Sequence, residues 1–121
     1  MSDEVQDSIL QSIKKNLNIS PEDTAFDVDI IMQINSAFAT LYQLGVGPDT
    51  PFSISDDSET WDMFSTDPEL NGVQRYIWLK TKIVFDPPTG SVMTEYTNQL
   101  KEEEWRLTIA AEELRKSGSN G

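Results

Sequence analysis

From Asp27 to Gly45 the apolar residues keep a helical period with almost no interruption, and this constrains the fold more than any other stretch. At about 100° per residue, Ile30, Ile31, Ile34, Ala37, Phe38, Leu41, Tyr42 and Leu44 fall on one broad face. Asp29, Gln33, Ser36 and Thr40 fall on the other. Gly45 is well placed as the left-handed residue that ends such a helix. A face this wide needs apolar partners, and the rest of the chain offers them mostly at the same period.

Val5, Ile9, Ile13 and Leu17 recur at helical spacing, with Leu10 beside them. This predicts an N-terminal helix capped by Ser2 or Asp3 and ended by Asn16, Asn18 and the Ser20-Pro21 pair. A loop follows Gly45, with a weak alternation over Pro51-Phe52-Ser53-Ile54 that fits a short extended piece. Ser58 then precedes a short helix to Phe64, with Trp61 and Phe64 directed at the core. Thr66-Asp67-Pro68 reads as a helix start, with proline at the first helical position. That helix runs to about Val84, where Pro87 forces Asp86 out of helical geometry. Its apolar residues lie nearly all round, as in a helix packed on several sides. The last helix runs from a Ser91 cap to about Lys116 on a Val92, Tyr96, Leu100, Leu107, Ala111, Leu114 stripe, interrupted by Glu103.

The expected fold is therefore all-α: a small bundle of four main helices plus one short one, with a long C-terminal helix. Residues 1–116 form one helical domain and 117–121 a flexible tail. The expected core holds Ile31, Ile34, Phe38, Leu41, Trp61, Ile77, Trp78 and Leu107.

Missing residue types narrow the chemistry. With no Cys and no His there is no disulfide, thiolate nucleophile, His-based triad or His-ligated metal. No glycine-rich phosphate loop is present. Asp56-Asp57-Ser58-Glu59 with Asp62 lacks the alternating ligands of a calcium loop, and capping explains it better. Glu102-Glu103-Glu104 and Glu112-Glu113 are adjacent carboxylates on a helix, with Lys101, Arg106, Arg115 and Lys116 as ordinary partners. No cofactor and no catalysis are expected.

Charge points the same way. The net charge is -12, and between Asn16 and Gln74 no base occurs. The net charge disfavours binding to DNA and to anionic membranes, and the acidic stretch is either an ordinary solvated surface or a one-sided field that repels DNA or attracts a basic partner. No apolar run is long enough for a membrane span. The acidic segment from Met1 to Gln11 has no apolar centre, so no secretory signal is expected.

Trp105 and Ile109 stand apart. They touch at i, i+4 but lie more than about 100° from the stripe of the last helix. Either this helix lies between two others of its own bundle, or Trp105 and Ile109, flanked by Glu104 and Arg106, dock a second subunit or partner.

The order of these features resembles the head–tail connector (adaptor, neck) proteins of long-tailed bacteriophages, over about residues 5–110. The resemblance is carried by the N-terminal helix, the segment from Ile34 to Pro48, Trp61, the run from Tyr76 to Pro88, and Glu104-Trp105-Arg106-Leu107. The Phe85-Asp86-Pro87-Pro88 stop and Glu104-Trp105-Arg106 are its most specific parts. It implies a structural protein that forms a homo-oligomeric ring below the portal and joins capsid to tail while DNA passes. It implies portal and tail-side neck proteins as partners. The implied location is the virion neck, after assembly in the host cytoplasm. It implies no cofactor and no catalytic residue. A small acidic DNA mimic that inhibits a basic host protein is the alternative that the charge alone allows.

Overall fold

The computed structural model describes residues 8–120, except the side chains of Glu69 and of residues 117–120. Five α-helices follow in order: α1 (Ile9–Asn16), α2 (Asp27–Gln43), α3 (Trp61–Phe64), α4 (Gly72–Phe85) and α5 (Gly90–Asn120). A 3-10 turn, Pro68–Leu70, precedes α4. Among the described residues there is no strand, only an isolated bridge between Ser8 and Thr60. The all-α expectation is met.

α4 is central, packing on α5, α2 and α1. The core joins Ile9, Leu10 and Ile13 of α1, Ile30, Ile34, Phe38 and Leu41 of α2, Val73, Tyr76 and Ile77 of α4, and Leu107 and Ala111 of α5. Of the expected core residues, Ile34, Phe38, Leu41, Ile77 and Leu107 are buried, while Ile31, Trp61 and Trp78 pack against the core and stay partly accessible. Phe38, Phe52 and Phe64 form an aromatic triangle with centroids 4.9, 5.0 and 5.5 Å apart. Such tilted and edge-on pairs are favourable beyond the area they bury.

Two helices end alike. In α2, Val46 N–H bonds to Leu41 O at 2.8 Å and Gly45 N–H to Tyr42 O at 3.0 Å, with Gly45 at φ 79°. In α1, Ile19 N–H bonds to Lys14 O at 2.9 Å and Asn18 N–H to Lys15 O at 3.1 Å, with Asn18 at φ 63°. Both close the last carbonyls through one left-handed residue, and asparagine tolerates that conformation better than most.

Several boundaries differ from the sequence expectation. α1 begins at Ile9, and Ser8, in extended geometry, caps it by accepting Gln11 N–H at 3.2 Å. Val5, Ser2 and Asp3 lie outside the described residues. Ser8 holds this position because Ile9 N–H bonds to Glu59 O at 3.0 Å, a contact no local pattern reveals. Ser58 does not cap α3, which starts after Thr60. The Thr66-Asp67-Pro68 start yields only the 3-10 turn, and the α-helix resumes at Gly72. A side chain there would crowd α5: a Cβ on Gly72 would sit 2.7 Å from Glu103 Oε1. Ser91 lies inside α5 rather than capping it, and α5 stays helical through Asn120, into the stretch expected to be a tail. Asp86 leaves helical geometry (φ -146°, ψ 66°) just before Pro87, as expected.

Candidate assembly surface

Polar residues fix the angle at which α5 lies on α4. Glu103 Oε2 is 3.6 Å from Arg75 Nε. Tyr76 O–H donates to Glu104 Oε2 at 2.7 Å. Arg75 also donates to Gln99. Glu103, which interrupts the apolar stripe, thus faces α4, and Glu104 is turned inward within its own molecule. Burial first, and the bond to Glu104 second, push the Tyr76 hydroxyl above the ordinary tyrosine range.

Among the described residues the opposite side of α5 is uncovered. Trp105 is 67% exposed and Ile109 42% exposed. Among the described residues no other helix packs over this pair, which does not favour the reading that places α5 between two helices of its own bundle. Arg106 is exposed and bonded to Glu102 at 3.1 Å. Lys101, one turn before Trp105, is exposed and has no ion-pair partner among the described residues. Lys101, Trp105 and Ile109 therefore line up along one face, a cation followed by two apolar side chains.

A second apolar feature escaped the sequence reading. Val28 and Met32 are 72% and 62% exposed on α2, and Val84 is 53% exposed near the end of α4. Met32, Val84 and Phe85, with Asp29 and Gln33, line a shallow cleft of about 330 Å³. Val28 and Met32 stand at i, i+4 off the core face, and that was the available signal. A wider cleft of about 720 Å³ lies between the end of α2 and the end of α5, lined by Tyr42, Pro48, Phe64, Leu70 and Leu114. Arg115 lines it too, and its Nη1 donates to Gly45 O at 2.9 Å.

The carboxylates suspected of chemistry have structural work. Asp56 Oδ1 accepts Ser58 N–H at 2.8 Å and Ser58 O–H at 2.6 Å. These bonds hold the Asp56 carboxyl below its ordinary range, the Ser58 hydroxyl foremost. Glu59 Oε2 accepts Ser55 N–H at 2.9 Å, and its Oε1 accepts Asp56 N–H at 3.3 Å. They organise the loop that meets α1, where Gln11 donates to Asp57 and Trp61 Nε1 donates to Ser12 Oγ at 3.1 Å. Among the described residues no group of metal-type ligands converges. No helix there is long and apolar enough to cross a membrane.

A family model described as phage connector protein matches residues 9–114. Comparison with curated proteins and with solved structures gives no match. The matched span covers all five helices up to Leu114 of α5, and so includes both the packed bundle and its uncovered face. By that match, the chain belongs to the phage connector protein family, and its role is that of a connector between phage head and tail.

Proposed function

We propose that the protein forms a homo-oligomeric ring beneath the portal and links it to tail-side neck proteins, without performing catalysis. It acts at the virion neck after assembly in the host cytoplasm. The observation that carries this reading, beside family membership, is a 67% exposed tryptophan on a helix whose other face is well packed. Aromatic anchors of this kind dominate binding energy when a partner buries them. Trp105 and Ile109 make the assembly contacts, with Arg106 at their edge. Glu104 contributes indirectly, by fixing α5 on Tyr76. The acidic stretch from Asn16 to Gln74 suits a conduit wall, because its sign keeps DNA from adhering while it slides.

The test is co-sedimentation with the portal protein encoded in the same phage genome. Wild-type protein is expected to travel with the portal as an assembled ring, and Trp105→Ala to lose ring or portal association while its helical circular dichroism stays unchanged. A Trp105→Ala protein that binds as well as wild type, or one that unfolds, removes Trp105 from the assembly role. Tight, salt-sensitive binding to a basic host protein, without portal binding, would favour the DNA-mimic alternative.

A further inference from the structure

The two uncovered apolar features differ in shape and in charge. One projects: the Trp105 and Ile109 side chains on the outer face of α5, preceded by Lys101. The other is a recess: the cleft of about 330 Å³ between α2 and α4, floored by Met32, Val84 and Phe85 and edged by Asp29. Neither Lys101 nor Asp29 has an ion-pair partner among the described residues. At about 330 Å³ the cleft is larger than an indole ring, and three of its five lining residues, Met32, Val84 and Phe85, are apolar. The charged residue of its lining, Asp29, is anionic, and the unpaired charge one turn before the projecting tryptophan, Lys101, is cationic, Glu102 beside it being paired with Arg106.

We propose that copies of this protein associate head-to-tail, Trp105 of one copy seated in the Met32, Val84 and Phe85 cleft of the next, with Lys101 of the first facing Asp29 of the second. The proposal deepens the connector reading above and rests on it. A second copy is the occupant that the chain itself offers, because each feature supplies the shape and the charge the other lacks. A contact between two unlike patches leaves one of each free at the ends of every dimer. Such contacts repeat, and they close into a ring when the rotation per copy divides a full turn.

The chain has no native cysteine, so introduced thiols report only the chosen contact. Full-length Ile109→Cys and Met32→Cys proteins, both changed at exposed sites, are mixed at high concentration under mild oxidation, with each alone as control. The expected result is a mixed disulfide product well above the self-coupled product of either protein alone. Adding Lys101→Asp to the Ile109→Cys chain should lower the mixed yield by roughly two- to fivefold, and Asp29→Lys on the Met32→Cys chain should restore it. Self-coupling of Ile109→Cys as strong as the mixed product, no mixed product, or no restoration by the paired reversal would each overturn the pairing. Wild-type protein that co-sediments with the portal while the mixture gives no product sinks the pairing alone. Wild-type protein that fails to co-sediment sinks the connector reading itself.

Discussion

The Tyr76 hydroxyl, on a side chain that is 0% exposed, donates to the half-buried Glu104 carboxylate across the α4–α5 contact. It is a side-chain bond between the central helix and the longest one, and it sits one residue from the exposed Trp105. Replacing it by Tyr76→Phe keeps the ring and removes the donor, leaving a partly desolvated carboxylate unsatisfied. The expected loss is about 1–3 kcal/mol in urea unfolding, with little change in the slope against urea.

The same hydroxyl makes stability depend on alkaline pH. Its folded-state pKa is raised, chiefly by burial and then by Glu104, so the folded state holds the proton more tightly than the unfolded chain. The contribution is complete below the unfolded value of about 10 and is lost as pH climbs from there toward the folded value. Unfolding free energy should therefore fall above about pH 10 in the wild type, and fall less steeply in Tyr76→Phe. Parallel slopes for the two proteins would contradict this.

Lys14 is enclosed at 0% exposure, with Nζ 2.8 Å from Asp27 Oδ1 and donating to Pro21 O at 3.2 Å. It ties the loop between α1 and α2 to both helices. Removing one partner of a buried pair leaves an uncompensated charge, so Asp27→Ala is expected to cost about 3 kcal/mol or more. Lys14→Met with Asp27→Leu removes both charges together and should cost clearly less than Asp27→Ala. Thermal melts of the single and double variants check the order.

Gly47 lies at φ 102°, and a Cβ there would stand 2.4 Å from Phe64 Cζ. Gly47→Ala thus combines backbone strain with displacement of one ring of the aromatic triangle, and about 2–4 kcal/mol of destabilisation is expected. Gly90 is the control: its φ is 59°, but a Cβ meets nothing within 4 Å. Gly90→Ala should cost only about 1 kcal/mol. Equal melting temperatures for the two variants would remove the steric part of the account.

Much of the fold was legible because its signals are local. The α2 face and the Gly45 stop needed only the helical period and one residue able to adopt positive φ. The stop at Asp86 needed only the following proline. Other features depend on residues distant in sequence. Ser8 caps α1, rather than Ser2 or Asp3, because the Glu59 carbonyl waits for the Ile9 amide. Lys14 looks like an ordinary helix-end cation until Asp27 folds over it. At the candidate surface, the off-stripe position of Trp105 and Ile109 was readable from the helical period. The inward turn of Glu104 was not, since it depends on the level at which Tyr76 meets α5. The Met32 and Val84 cleft was missed for the same reason, being made by two helix segments that meet only in the folded chain.

Enclosing Lys14 has an effect well beyond its loop. Lys15 is then the one basic side chain before Arg75 that reaches water, so the first two-thirds of the molecule presents carboxylates with almost no cation between them. Buffer cations must gather around that surface. When molecules approach in dilute buffer their ion clouds are compressed and they are held apart. Shortening the reach of that repulsion to about 8 Å, as physiological ionic strength does, lets neighbours come close enough for apolar side chains to meet. Self-association of this protein should therefore grow stronger as salt is added, because relief of the repulsion between two molecules of net charge -12 outweighs screening of a single Lys101–Asp29 pair.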